Sequence, residues 1–265
     1  MTLLKVKDLH VSYHIPGGIF EAVRGISFDL EPKRVLGLVG ESGCGKSTTA
    51  RAICGLEEVS AGSILFHDHE VKALGLRKRP PELTRIQMVF QNPYASLNPR
   101  RRIGSQIEDA LRVNPQKDAW SVADLLTQVE MSPSDADRFP HQFSGGQRQR
   151  IAIARAIAAG PEVLIGDEPI ASLDASLQAR VARLMRDLAV KTGAALLFIS
   201  HDLSVVRVIA DEFAVMNKGK IVEHDAVDTV WEDPKDPYTQ RLLAAIPVVN
   251  GLNWLPGIAE NESAL

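Results

Sequence analysis

Apolar positions recur along this chain at two spacings, and the switches between them divide it. From Leu4 to Leu30 they alternate, with Val6, Leu9 and Val11 before Pro16-Gly17-Gly18 and Ala22, Val23, Ile26, Phe28 and Leu30 after it. This period of two predicts strands around a hairpin-like loop. Short apolar runs at 35–39, 62–66, 86–90, 162–168 and 195–199 predict further strands, the last of a parallel-sheet type. Helices are predicted from Thr48 to Gly55, from Ile103 to Val113, from Val122 to Met131 and through Ile151–Ile157. From Asp174 a stripe of Leu177, Val181, Leu184, Met185 and Leu188 marks one face of a longer helix that stops at Gly193. Phe213 to Met216 and Lys220 to Glu223 flank Asn217-Lys218-Gly219, a turn suited to a hairpin. Beyond Val230, prolines 234, 237, 247 and 256 and a short helix through Leu243 read as a tail.

Chemistry collects where the strands end. After the run 35–39 comes Gly40-Glu41-Ser42-Gly43-Cys44-Gly45-Lys46-Ser47, matching G-x-x-x-x-G-K-[ST] in the strand–loop–helix context that a phosphate-binding loop requires. Its glycines let successive backbone N–H groups aim at phosphate oxygens, and the following helix start adds partial positive charge. Lys46 is expected at the β- and γ-phosphates and the Ser47 hydroxyl at magnesium. Cys44, inside the loop, reads either as a small filler or as a thiol that backbone dipoles and Lys46 turn into a reactive thiolate.

The run 86–90 ends at Gln91, broken by Asn92-Pro93-Tyr94, and the run 195–199 ends at Ser200-His201-Asp202, which suits His201 to a γ-phosphate contact. The run 162–168 delivers Asp167 and Glu168 at the edge where α/β sheets place ligands. Beside a phosphate loop, Asp167 is suited to the magnesium shell and Glu168 to orienting the attacking water. Ser144 caps the helix that Gly145, Gly146 and Gln147 begin, an anion-binding arrangement or simply a capped helix. Tyr13, before the first loop, is ordinary strand filling or a surface on which a purine stacks. His67 and His69 flank Asp68 in a charged stretch that reads as solvated surface, and no metal is assigned there.

With 30 Lys+Arg against 33 Asp+Glu, the net charge of -3 gives no basic field for nucleic acid. Two cysteines, Cys44 and Cys54, make no disulfide framework and fit a reducing interior. Neither a secretory leader nor an apolar run long enough to span a membrane is expected.

Taken in order, these stations resemble the nucleotide-binding subunit of an ATP-binding-cassette transporter over nearly the whole chain, with Ser144-Gly145-Gly146-Gln147 as its signature. The resemblance implies an α/β fold, a P-loop NTPase (RecA-like) core with an N-terminal antiparallel β subdomain and an inserted α-helical subdomain at about 92–157. It implies a cassette over 1–230, a tail over 231–265, ATP and Mg2+ as cofactors, and ATP hydrolysis as the activity. Tyr13 would stack on adenine; Gly40, Ser42, Gly43, Cys44, Gly45, Lys46, Ser47 and Thr48 would hold phosphate. Gln91, Asp167 and Ser47 would face magnesium; Glu168 would be the catalytic carboxylate, His201 the switch histidine, and Asp174 would touch the opposite subunit. Two cassettes would close face to face, each ATP lying between one phosphate loop and the other subunit's Ser144–Gln147, so that a monomer is nearly inactive.

Asn92-Pro93-Tyr94-Ala95-Ser96-Leu97-Asn98-Pro99 and Asp236-Pro237-Tyr238-Thr239 through Ile246-Pro247 resemble, more narrowly, the oligopeptide, dipeptide and nickel importer branch. This implies peptide import, a second and different cassette, two membrane permeases reached through a groove near Gln91 and Tyr94, an extracytoplasmic binding protein, and a peripheral place on the cytoplasmic face of the inner membrane. Alternatives are a nickel or other small-solute transporter ATPase, or a soluble cassette outside transport. The chain departs from the family at Phe143, where leucine is usual, and at Ile170-Ala171-Ser172-Leu173-Asp174 in place of Thr-Ser-Ala-Leu-Asp. With no cysteine beyond Cys54, no iron–sulfur cluster is expected.

Overall fold

The computed structural model describes residues 2–246 except 76–78, 94–95, 117–119 and 172. Tyr94, Ser172, Pro247, Pro256 and the tail from 247 onwards therefore lie outside the described residues. The alternating N-terminus forms β1 (Leu4–Ile15) and β2 (Gly18–Leu30), antiparallel in a register that sets Leu4 against Leu30 and Tyr13 against Phe20. The strand β3 (Val35–Val39) buries all its residues and leads into α1 (Lys46–Ile53). On the free side of β1 lie β4 (Ala61–Phe66) and then β5 (His69–Glu70), giving an antiparallel sheet of order β2-β1-β4-β5.

Next come β6 (Ile86–Val89), α2 (Ile103–Leu111), α3 (Val122–Gln128), α4 (Gly145–Ala158), β7 (Val163–Asp167), α5 (Ala175–Thr192) and β8 (Ala195–Ser200). The chain continues through α6 (Leu203–Ile209), β9 (Glu212–Asn217), β10 (Lys220–Ala226), α7 (Val227–Glu232) and α8 (Pro237–Ala244). The second sheet runs β10-β9-β3-β8-β7-β6, parallel throughout except for the β9–β10 hairpin. Side chains alternate across a strand, so this sheet has two apolar faces. Leu196 and Phe198 pack with α4, α5 and α6, whereas Leu197 and Ile199 pack with α1 and the antiparallel sheet. The parallel strands thus share one C-terminal edge, where β3, β6, β7 and β8 release the phosphate loop, Gln91, Asp167 with Glu168, and His201.

Three helices stop short of their predicted ends, the first being α1, which ends at Ile53 ahead of Gly55 with its left-handed φ of 69°. In α2 the hydrogen bonding tightens to Val113 N–H on Ala110 O and Asn114 N–H on Leu111 O, just before Pro115 disfavours further helix. In α3 the backbone turns left-handed at Glu130 (φ 58°), and Met131 N–H closes back on Leu126 O. By contrast α5 has its expected limits: Asp174 accepts from Leu177 N–H at 3.1 Å, and Gly193 ends the helix at φ 86°. Among the described residues no helix is long and apolar enough to cross a membrane.

Candidate nucleotide site

The loop after β3 takes a path that two glycines make possible. Gly40 has φ 147°, and a Cβ there would lie 2.1 Å from Met216 O; at Gly45, φ 110°, it would lie 2.4 Å from Ala22 O. The backbone is also held from outside, since Gly219 in the β9–β10 turn donates to Cys44 O at 3.0 Å. Residues Glu41, Ser42 and Gly43 form an exposed lip, while Cys44, Gly45 and Lys46 are buried. Lys46, 4% exposed, points its ammonium at Gly40 O (2.7 Å) and Glu41 O (2.8 Å). Among the described residues it joins no ion pair, so this buried cation is solvated by two neutral carbonyls and, at 3.8 Å, the Cys44 sulfur. A buried charge is costly without a counter-ion, and a phosphate at the lip supplies one.

Ser47 and Asp167 meet: the hydroxyl donates to the carboxylate at 2.7 Å. Asp167 is buried, and that burial holds its pKa above the ordinary aspartate value despite the Ser47 bond. A short carboxylate–hydroxyl pair of oxygen donors fits a magnesium ion. Glu168 sits next along in a left-handed backbone, φ 46°, fixed by its N–H on Ile199 O at 3.0 Å. Such a conformation costs on the order of 1–3 kcal/mol in a residue with a side chain. It aims the carboxylate between two other strand exits, with Gln91 Nε2 at 3.4 Å and His201 Nδ1 at 3.5 Å from the same Oε2. His201 is held in place by the following Asp202, which caps α6 by accepting from Ser204 and Val205 N–H. Thus Lys46, Ser47, Asp167, Glu168, Gln91 and His201 share the edge of the sheet. Half-buried Tyr13 joins this region through its phenol, which contacts the Thr48 hydroxyl.

The signature stretch is built differently. Ser144 accepts from Gln147 N–H at 3.3 Å while Gln147 Oε1 accepts from Ser144 N–H at 2.9 Å, a reciprocal cap. These side chains therefore serve the start of α4, not this chain's own phosphate loop. Gly146 lets the segment leading to Asp174 approach, its Cβ position being 3.4 Å from Leu177 and 3.6 Å from Leu173. Phe143, the departure from leucine, is buried with the Arg138 guanidinium 4.3 Å over its ring.

Of the two readings that the sequence leaves open for Cys44, the structure favours one. Cys44 is 6% exposed, and burial pushes its thiol up, outweighing the opposing pull of Lys46. The reading that holds is a buried filler, not a thiolate. Two contacts were missed from sequence. Fully buried Gln149 places Nε2 3.4 Å from Phe90 O, tying α4 to the residue before Gln91; its only signal was a polar side chain on the buried face of a helix. Tyr238 in α8 accepts a hydrogen bond from Glu41 N–H at 3.1 Å, and nothing local in the tail points to a partner 197 residues away.

The chain is similar to known proteins in sequence and in fold. A family model described as "ABC transporter" matches residues 23–171. An oligopeptide transport ATP-binding protein of Bacillus subtilis is 46% identical over 252 residues, 93% of this chain and 83% of that protein. A di/tripeptide transport ATP-binding protein of Pseudomonas aeruginosa is 44% identical over 259 residues, covering 94% and 80%. Among solved structures, cbiO1 from Clostridium perfringens, part of the ABC transporter complex cbiONQ, superposes with a TM-score of 0.73 at 25% identity over 88% of this chain and 91% of that one.

Proposed function

Because the chain belongs to the ABC transporter family, we propose that it is the ATP-hydrolysing subunit that powers import of peptides through a membrane complex. The observation that carries the chemistry is the convergence of Gln91 and His201 on Glu168, next to the Ser47–Asp167 pair. Support for peptide cargo comes from the transport proteins of Bacillus subtilis and Pseudomonas aeruginosa, similar over most of their lengths.

In this reading Lys46 gives its uncompensated charge to the phosphates, and the exposed lip admits them. Ser47, Asp167 and Gln91 would hold Mg2+, which would supply charge neutralisation at the phosphate oxygens. Glu168 orients and polarises the attacking water, and His201 approaches the γ-phosphate from the adjoining strand exit. Catalysis of this kind is positioning plus charge neutralisation. Tyr13 stacks on the base. Ser144, Gly145, Gly146 and Gln147 complete the site of a second cassette, a different chain, that closes over this one. The cassette comprises 1–230 with its helical part at about 92–157, and 231–265 is the tail. Two permeases and an extracytoplasmic binding protein make up the rest, with this chain peripheral on the cytoplasmic face of the membrane.

The test is affinity purification of the tagged chain from detergent-solubilised native membranes, with mass spectrometry of what co-purifies. Two polytopic membrane proteins and a second cassette are expected, and the accompanying binding protein is then titrated with peptides and with nickel. Nickel binding without peptide binding moves the cargo to the metal branch. Recovery only from the soluble fraction, with ribosomes or repair factors, overturns the transport reading.

A further inference from the structure

We propose that Tyr238, in the tail helix α8, is a positioning residue of the nucleotide site, acting on Lys46 through a single peptide group. Glu41 N–H donates to Tyr238 Oη at 3.1 Å, and Lys46 Nζ donates to Gly40 O at 2.7 Å. That N–H and that carbonyl belong to the same planar amide, so the two bonds grip its opposite ends. Each polarises the amide in the sense that strengthens the other. The grip matters because the amide follows Gly40, whose φ of 147° belongs to a region few other residues enter. Nothing on a glycine side chain restrains such a plane; the phenol does.

Tyr238 is itself well held. Its own N–H donates to Asp236 Oδ1 at 2.7 Å at the start of α8, and its ring is buried in the core. Glu223 on β10 pins the preceding chain, one oxygen accepting from Lys235 N–H at 2.8 Å and the other from Asp236 N–H at 3.1 Å. The tail is thereby fixed to the hairpin at one point and to the phosphate loop at another. A loop already ordered before ligand arrives pays less ordering cost on binding. Tyr238 thus presets Lys46 for phosphate and makes nucleotide affinity depend on the docking of the tail.

The inference rests on the reading of the Lys46 loop as the nucleotide site, and one set of titrations separates the two. ATP with Mg2+ is titrated calorimetrically into the full chain, into Lys46→Ala, Tyr238→Phe and Thr239→Val, and the melting temperature of each is recorded without nucleotide. Phenylalanine fills the same space and deletes only the hydroxyl. Thr239, fully buried with an unpartnered Oγ1, controls for disturbance of α8 that leaves the phenol in place. The expected result is ATP binding lost in Lys46→Ala, about fivefold weaker in Tyr238→Phe, as for loss of one net hydrogen bond, and unchanged in Thr239→Val. Tyr238→Phe binding like wild type, whether or not its melting temperature falls, overturns the proposal and leaves the nucleotide site standing. Equal weakening by Thr239→Val also overturns it, because helix packing then accounts for the effect. If the wild-type chain binds no ATP, the nucleotide reading itself fails and the proposal falls with it.

Discussion

The Ser47 hydroxyl donates to Asp167 Oδ1 at 2.7 Å, joining the first turn of α1 to the last residue of β7 across 120 positions of sequence. It is one neutral partner for a carboxylate that is only 6% exposed. The charged form of Asp167 is consequently disfavoured by burial, and its pKa lies above the ordinary 3.8.

Asp167→Asn is therefore expected to stabilise the nucleotide-free chain while removing its magnesium dependence. A carboxylate whose folded pKa is raised contributes stability when protonated, below the unfolded pKa, and loses it as pH rises through the folded pKa. The gain in melting temperature of Asp167→Asn over wild type should be full at neutral pH and shrink on acidification towards 3.8. Thermal melts across this range check the sign, and ATP titrations with and without Mg2+ check the metal. A variant less stable than wild type at neutral pH, or one whose ATP affinity still responds to Mg2+, contradicts this account.

Glu168→Gln retains shape and hydrogen bonding but not basicity. Nucleotide binding should persist, and turnover of the assembled complex should fall by about 10²–10⁴-fold, the range associated with a positioned acid–base group. Paired measurements of ATP affinity and phosphate release decide the matter. Normal phosphate release from the variant complex would remove Glu168 from the chemistry.

Much of this site was legible because each part announces itself locally. The phosphate loop follows a run of five buried residues, Val35–Val39, and Asp167, His201 and Gln91 each follow another apolar run. Parallel pairing then brings the strand ends together, a consequence of topology that needs no contact to be foreseen. Tyr238 and Gln149 were not legible as site residues, because their partners are backbone groups, Glu41 N–H and Phe90 O, which no side-chain pattern records. For a related reason the sequence leaves Cys44 open between a small filler and a reactive thiolate. Its neighbours Lys46 and the loop dipoles are visible in sequence, but the enclosing bulk that outweighs them includes Met216, brought in on β9 from 172 positions away.

The buried thiols follow directly. Cys44 has its pKa raised by burial and Cys54 is pushed up to about 11, so both should alkylate slowly at neutral pH and fully only after denaturation. Mass spectrometry of the native chain after brief maleimide treatment reads this out. Rapid labelling of Cys44 that ATP prevents would restore the thiolate reading.

Gly40 and Gly43 test how far the loop geometry is fixed before nucleotide binds. Both have positive φ, 147° and 80°, but an added methyl group meets very different surroundings. At Gly43 nothing lies within 4 Å, so alanine there bears only backbone strain, about 1–2 kcal/mol. At Gly40 the methyl carbon would lie 2.1 Å from Met216 O and 3.0 Å from Cys44 Sγ, and the first of these is backbone in β9. That carbonyl cannot swing aside as a flexible side chain does, so β9 or the loop must shift. The expected loss for Gly40→Ala is about 3 kcal/mol or more, the sum of strain and a core clash. Urea unfolding with unchanged slope gives both values from the midpoints. Equal losses at the two positions would mean that the loop does not rest against Met216 in the free chain, and the preset geometry attributed to Lys46 would fall with that contact.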